Sequence, residues 1–187
     1  MKRVACLACA GLLGVAQGAA AEQCFEMGPT QFVDGLDYCV SSALAPQSGN
    51  DYGPENLWDG SDATAWCEGA PGTTGERLTI RIEGGPPFRR LSFDNGYAKS
   101  ARSFARNARP RVLAISTDTG VKMRATLRDD PGETIVELPL GQHRWVEMRI
   151  VEVYPGTHYQ DTCLNGVFID FEYEEMLLHQ EQFGKKN

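Results

Sequence analysis

Leu78-Thr79-Ile80-Arg81-Ile82-Glu83, stopped by Gly84-Gly85-Pro86-Pro87, is the stretch on which the fold turns. Its apolar residues recur at every second position with Thr, Arg and Glu between them, the period of a strand with one face buried. The pattern repeats down the chain. Residues 89–93 end at Asn95-Gly96, and Val121, Met123, Ala125 and Leu127 alternate with Lys122, Arg124, Thr126 and Arg128 before the turn residues Asp129-Asp130-Pro131-Gly132. Residues 134–140, 145–154 and 167–173 continue in the same manner, with Gly141, Pro155, Gly156 and Gly166 at the breaks. Helical signal is confined to short turns over 53–59 and 100–107 and to a tail over 174–183. Seven or eight short strands between Gly and Pro turns predict an all-β, antiparallel sandwich or barrel.

The beginning of the chain sets the compartment. Lys2 and Arg3 precede an almost wholly apolar run over 4–15, and residues 17–21 turn small and polar, which reads as a secretory signal peptide over 1–21. Ala19 and Ala21 satisfy the small-x-small rule, so cleavage is expected before Glu22 and the mature protein is expected to be periplasmic or secreted, of bacterial type. Lipid attachment at Cys9 is not expected, because Cys6 stands where an aliphatic residue would. The run is shorter than the roughly 20 residues that cross a bilayer, and no later stretch is more apolar; no membrane insertion is expected.

The mature chain carries 16 basic against 25 acidic side chains, which argues against nucleic acid as a partner. The charge is uneven. Between positions 89 and 111 lie Arg89, Arg90, Lys99, Arg102, Arg106, Arg109 and Arg111 against a single acid, Asp94. Such a stretch attracts anions, and with Tyr97 and Phe104 interleaved it suits a sugar face stacked on an aromatic ring while arginines hold a carboxylate, sulfate or phosphate. The alternative is that these cations pair with the surplus acids of neighbouring strands. Tyr52, Tyr97 and Tyr159 lie in polar loops and are candidates for a sugar-stacking surface, whereas Trp58, Trp66, Trp145 and Tyr154 sit in apolar patterns that read as core.

Cys24, Cys39, Cys67 and Cys163 remain after the leader, and an even count in an oxidising compartment predicts two disulfides among three possible connectivities. The densest motif is Tyr52-Gly53-Pro54-Glu55-Asn56-Leu57-Trp58-Asp59-Gly60-Ser61-Asp62-Ala63-Thr64-Ala65-Trp66-Cys67-Glu68-Gly69. Asp59, Asp62 and Thr64, with free carbonyls beside them, are of the type a hard cation such as calcium takes. The same residues make Asx and ST turns on their own backbone, and by residue type that reading is the stronger.

This motif resembles the opening of a discoidin domain, the coagulation factor V/VIII type C family among the galactose-binding-like jelly rolls. Asn95-Gly96-Tyr97-Ala98-Lys99-Ser100, Asn107-Ala108-Arg109-Pro110-Arg111 and the run Tyr154-Pro155-Gly156-Thr157-His158-Tyr159-Gln160-Asp161-Thr162-Cys163 resemble the bacterial branch associated with translocation of a secreted NAD glycohydrolase. The resemblance covers about residues 39–173. It implies a jelly-roll β-sandwich over 41–173, a binding module rather than an enzyme, and early and late segments lying side by side. Cys67 with Cys163 is the pairing that follows, with Cys24 and Cys39 clasping a separate N-terminal segment over 22–40 and a tail over 174–187 left outside. It also implies a structural cation completed by a glutamate after the late cysteine. Here that segment reads Cys163-Leu164-Asn165-Gly166-Val167, with glycine in place of the acid and Asn165 as a weak substitute, so calcium is left open and no cofactor is required.

No G-x-S-x-G elbow, H-E-x-x-H helix or phosphate-binding glycine loop occurs in the sequence. The reading is therefore a noncatalytic carbohydrate-binding module for a glycan or cell-surface polysaccharide, preferably anionic, with Tyr52, Tyr97, Lys99, Arg102, Arg106, Arg109 and Tyr159 as ligand residues. The chain is expected to stand alone, without an attached glycohydrolase domain. A module that assembles with another exported protein is the alternative, and a hydrolase acting through His158 and Asp161 is a third reading.

Overall fold

The computed structural model describes residues 21–183, so the signal peptide expected over 1–21, except for Ala21, and residues 184–187 fall outside the described residues. The alternation at Leu78, Ile80 and Ile82 becomes β4 (Arg77–Glu83), with those three side chains buried and Arg81 and Glu83 exposed. Around it run β1 (Gln23–Glu26), β2 (Gly35–Val40), a 3-10 turn (Pro54–Leu57), β3 (Trp66–Cys67), β5 (Phe88–Asn95), α1 (Ala101–Arg106), β6 (Arg109–Thr117), β7 (Lys122–Thr126), β8 (Glu133–Gly141), β9 (Trp145–Tyr154), β10 (Cys163–Ile169) and α2 (Phe171–Phe183).

The strands form a six-stranded sheet in the order β1-β2-β4-β9-β6-β7 and a four-stranded sheet in the order β3-β10-β5-β8, with every strand pair antiparallel. Each sheet turns one apolar face inward, and Tyr38, Trp66, Ile80, Leu91, Phe93, Val146 and Val167 are packed in the core between them at 1 % exposure or less. The two layers are also joined by a hydrogen bond, from the Tyr38 hydroxyl on β2 to the Val167 carbonyl on β10 at 3.0 Å. Burial pushes the Tyr38 hydroxyl far above its ordinary pKa, so it stays a donor.

Within the N-terminal segment, β2 is a strand of the larger sheet, and the expected Cys24–Cys39 disulfide joins it to β1. Leu36, Tyr38 and Val40 are core residues, and β2 pairs with β4 from Gly35↔Glu83 to Val40↔Leu78. Cys24 and Cys39 face each other across β1 and β2 and are bonded, and Cys67 and Cys163 do the same across β3 and β10, closing a separation of 96 residues. Two boundaries differ from the periodicity. β6 is not predicted by alternation because Pro110 lies near its start; the strand accommodates it at a register shift against β9 between Pro110 and Val112, where no ladder donor is needed. The strand predicted over 167–173 ends at Ile169, because the Asp170 carboxylate accepts the Tyr173 amide at 3.0 Å and starts α2 there.

Candidate functional site

At one end of the sandwich the turn 47–50, helix α1 and the loop 155–162 enclose a cleft of ≈ 270 Å³. The chain reaches it from β5 through Gly96, whose φ of 76° belongs to glycine and whose missing side chain leaves room for Phe104. Asn95, fully buried, anchors that corner by donating to the Pro110 and Arg128 carbonyls at 2.8 and 2.7 Å. Ser100 then caps α1 by accepting the Ser103 amide at 3.0 Å.

The free carbonyls at the end of α1 take up the loop after β9. Thr157 N donates to Ala105 O at 3.0 Å, and Tyr159 N to Arg106 O at 2.8 Å. The approach requires Gly156, where a Cβ would stand 2.4 Å from the Arg106 carbonyl. On the far side the turn is made by Gln47↔Asn50 pairing, with Ser48 the one non-glycine among the described residues at positive φ, 54°. A left-handed serine on the rim of a cleft is strain of the kind that binding loops hold.

Five of the residues predicted for ligand meet in this cleft: Tyr52, Tyr97, Arg102, Arg106 and Tyr159 all line it. Tyr52 and Tyr97 pack edge to face at 6.3 Å between ring centres, mostly buried. Burial pushes both hydroxyls up, so both are neutral hydrogen-bonding groups. Tyr159 is 43 % exposed and receives Arg106 twice: Nη2 donates to its hydroxyl at 2.9 Å and the guanidinium lies 4.8 Å from its ring centre. Lys99 reaches the rim, donating to Asn50 Oδ1 at 2.8 Å.

Arg109 stands apart from the cleft. It is 9 % exposed, its Nε donates to Asp129 at 2.6 Å, its guanidinium covers the Phe104 ring at 4.4 Å, and it is absent from the lining of the cleft. The structure thereby sorts the basic stretch. Arg89 pairs with Glu174, Arg90 with Asp170, Arg109 with Asp129 and Arg111 with Glu152. Lys99, Arg102 and Arg106 have no acid partner among the described residues; Arg102 and Arg106 line the cleft, and Lys99 reaches its rim through Asn50. Sequence reasoning missed Gln47, Asn50, Ser103 and Asn107, polar side chains of the lining whose one signal was their place in turns beside the tyrosines.

His158 and Asp161 do not form a dyad. The two share no hydrogen bond among the described residues; the His158 ring packs edge to face on Tyr159 at 4.5 Å, and Asp161 is the acid of the lining. Behind Asp161, Glu68 exchanges hydrogen bonds with the Thr162 backbone, donating from its amide at 3.0 Å and accepting on Oε1 at 3.4 Å, while Oε2 has no partner. Glu68 is 1 % exposed. Burial pushes its carboxyl up to about 7, reinforced by Glu76 and Asp161 and opposed by the Thr162 amide.

The three residues considered for calcium, Asp59, Asp62 and Thr64, lie in the loop 59–65. Asp59 is spent on the Ser61 amide at 2.9 Å and the Thr64 hydroxyl at 2.6 Å, and Asp62 is exposed. The Ser61 and Thr64 carbonyls both accept the Asn165 side-chain amide. Glu22, Cys24 and Cys39 also lie within ligand spacing of one another, but both sulfurs are in the disulfide and cannot act as thiolates.

Residues 33–170 match the family model of the NAD glycohydrolase translocation F5/8 type C domain. No curated protein matches the chain. Among solved structures the chain is similar to CpGH89CBM32-5 from Clostridium perfringens, in complex with GalNAc-β-1,3-galactose, with a TM-score of 0.52 and 13 % identity over 72 % of this chain and 94 % of that one. It is also similar to the family 32 CBM of C. perfringens NanJ in complex with galactose, with a TM-score of 0.52 and 9 % identity over 72 % and 92 % of the two chains. A third, the arabinofuranosyltransferase AftD from Mycobacteria, has a TM-score of 0.56 and 16 % identity over 78 % of this chain and 11 % of its own. At these identities the likeness is one of fold, the galactose-binding-like β-sandwich.

Proposed function

Because the chain belongs to the NAD glycohydrolase translocation F5/8 type C domain family, we propose that it is a noncatalytic, exported glycan-binding domain whose ligand is an anionic sugar held in the cleft at α1. The observation that carries the reading is the sorting of the basic stretch. Four of its seven cations are neutralised by acids, and the three that are not gather with Tyr52, Tyr97 and Tyr159 around one opening. Carbohydrate sites pair an aromatic surface with fixed hydrogen-bonding groups; here Tyr159 offers the exposed ring, and the buried Tyr52 and Tyr97 back the opening. Binding of galactose-type sugars by structural neighbours supports the ligand class.

The charge of the lining favours an anion. Arg102 and Arg106 stand against Asp161, and Lys99 adds a further cation at the rim. Arg106 Nε is covered and unpaired, a charged donor whose desolvation an incoming carboxylate or sulfate on the same guanidinium offsets. A cleft of ≈ 270 Å³ lies just below the range of pockets that enclose drug-sized ligands, so it suits the end of a glycan chain and not its interior. The paired cysteines on both sheets fit an oxidising compartment.

Calorimetric titration of the mature protein with neutral galactosides and with sialylated, uronic-acid and sulfated oligosaccharides tests the proposal. Binding of an acidic series that weakens as salt rises supports it. Heat from neutral sugars alone removes the anionic part, and no heat from any sugar removes the glycan reading.

A further inference from the structure

Asn165 lies at an irregularity of β10. Pairing with β5 shifts register between Leu164 and Gly166, so the residue between them has no cross-strand partner and its side chain is turned to the loop 59–65. A bulge re-aims a side chain in this manner. The residue is 5 % exposed, and its amide nitrogen donates to two carbonyls of that loop, Ser61 O and Thr64 O, each at 2.7 Å. One NH₂ group has two hydrogens, and two carbonyls converge on it.

Two carbonyls converging on one point beside an aspartate are also what a hard divalent cation takes, with ligand oxygens at roughly 2.3–2.6 Å. We infer that the Asn165 amide stands where such a cation would stand, so that the loop 59–65 is locked to β10 by hydrogen bonds and the fold needs no divalent metal. The remaining oxygens of the loop agree. Asp59 is occupied by Ser61 N and Thr64 Oγ1, Ala63 O accepts the Tyr97 hydroxyl at 3.3 Å, and Ala65 O accepts the Asn56 amide at 3.1 Å. A cation entering here breaks both Asn165 bonds and meets N–H hydrogens pointing at it. The lock also bears on the cleft, since Ala63 holds the hydroxyl of Tyr97.

Melting of the mature protein in millimolar calcium and in chelator, for the native chain and for Asn165→Ala, tests this without reference to any sugar. The native melting temperature is expected to be the same in both, and Asn165→Ala to lower it by about 4–8 °C equally in both, from two lost buried hydrogen bonds and the Thr64 carbonyl left without its donor, Ser61 O keeping the Thr64 amide. A native melting temperature that rises with calcium and falls with chelator overturns the inference. So does an Asn165→Ala chain as stable as the native one.

Discussion

Replacing Glu68 by Gln keeps the shape of the side chain and removes the charge that the fold handles worst. The native carboxyl is 1 % exposed, its Oε2 is unpaired, and its pKa is pushed up to about 7 from 4.5. Between those two values the native state holds a proton that the unfolded chain releases, so stability falls as pH rises through the window and the whole penalty stands above pH 7. At about 1.4 kcal/mol per tenfold change in proton affinity, that penalty is about 3 kcal/mol. The Gln amide recovers it but places an NH₂ where Oε2 has no partner, a cost of about 1 kcal/mol. The variant is therefore expected to be about 2 kcal/mol more stable at pH 8, about 4–8 °C in melting temperature for a chain of this length. The gap closes by pH 5, where the native carboxyl is protonated. Paired thermal melts across pH 5 to 8 measure it. A gap that is the same at both ends, or a variant less stable at pH 8, refutes the assignment of an ionised, uncompensated Glu68 at alkaline pH.

Arg102→Ala and Arg106→Ala are each expected to weaken an acidic glycan about tenfold, the value of one charge-assisted hydrogen bond, while neutral sugars change little; calorimetry separates the two. Gly156→Ala forces a methyl group against the Arg106 carbonyl and should both lower the melting temperature and weaken binding, because the loop carrying Tyr159 is pushed off α1. Breaking the Cys67–Cys163 bond with paired Ala substitutions frees a separation of 96 residues, with an upper limit of ~4.7 kcal/mol in the chain-entropy model, and denaturant titration should register a loss of at least 2 kcal/mol.

β4 was legible because Leu78, Ile80 and Ile82 lie on one face of a strand that is wet on the other. β6 was not, since Pro110 argues against a strand unless a bulge is known to receive it, and that bulge, with Arg111 as the extra residue of β6, is set only by the pairing with β9. β2 was obscured by Cys39, which invites reading the segment as a clasp although Leu36, Tyr38 and Val40 carry the alternation. The gathering of Tyr52, Tyr97, Arg102, Arg106 and Tyr159 in one cleft follows residues that were readable, as tyrosines in polar loops and as cations in excess of acids. Which cations would be free was not readable. Arg109 is paired with Asp129 across 20 residues and Arg89 with Glu174 across 85, and such pairings are made by the packing of sheets and helices and not by local sequence. The direction of the Asn165 side-chain amide depends likewise on a register shift between two strands.

The account rests on the cleft as the ligand site, and heteronuclear NMR titration of residues 22–187 with a uronic-acid or sulfated oligosaccharide addresses that most directly. Amide shifts confined to the turn 47–50, to α1 and to residues 157–161, and lost in an Arg102→Ala, Arg106→Ala chain, are the predicted result. Shifts on the outer face of the six-stranded sheet or beside α2, with the cleft silent, would contradict it.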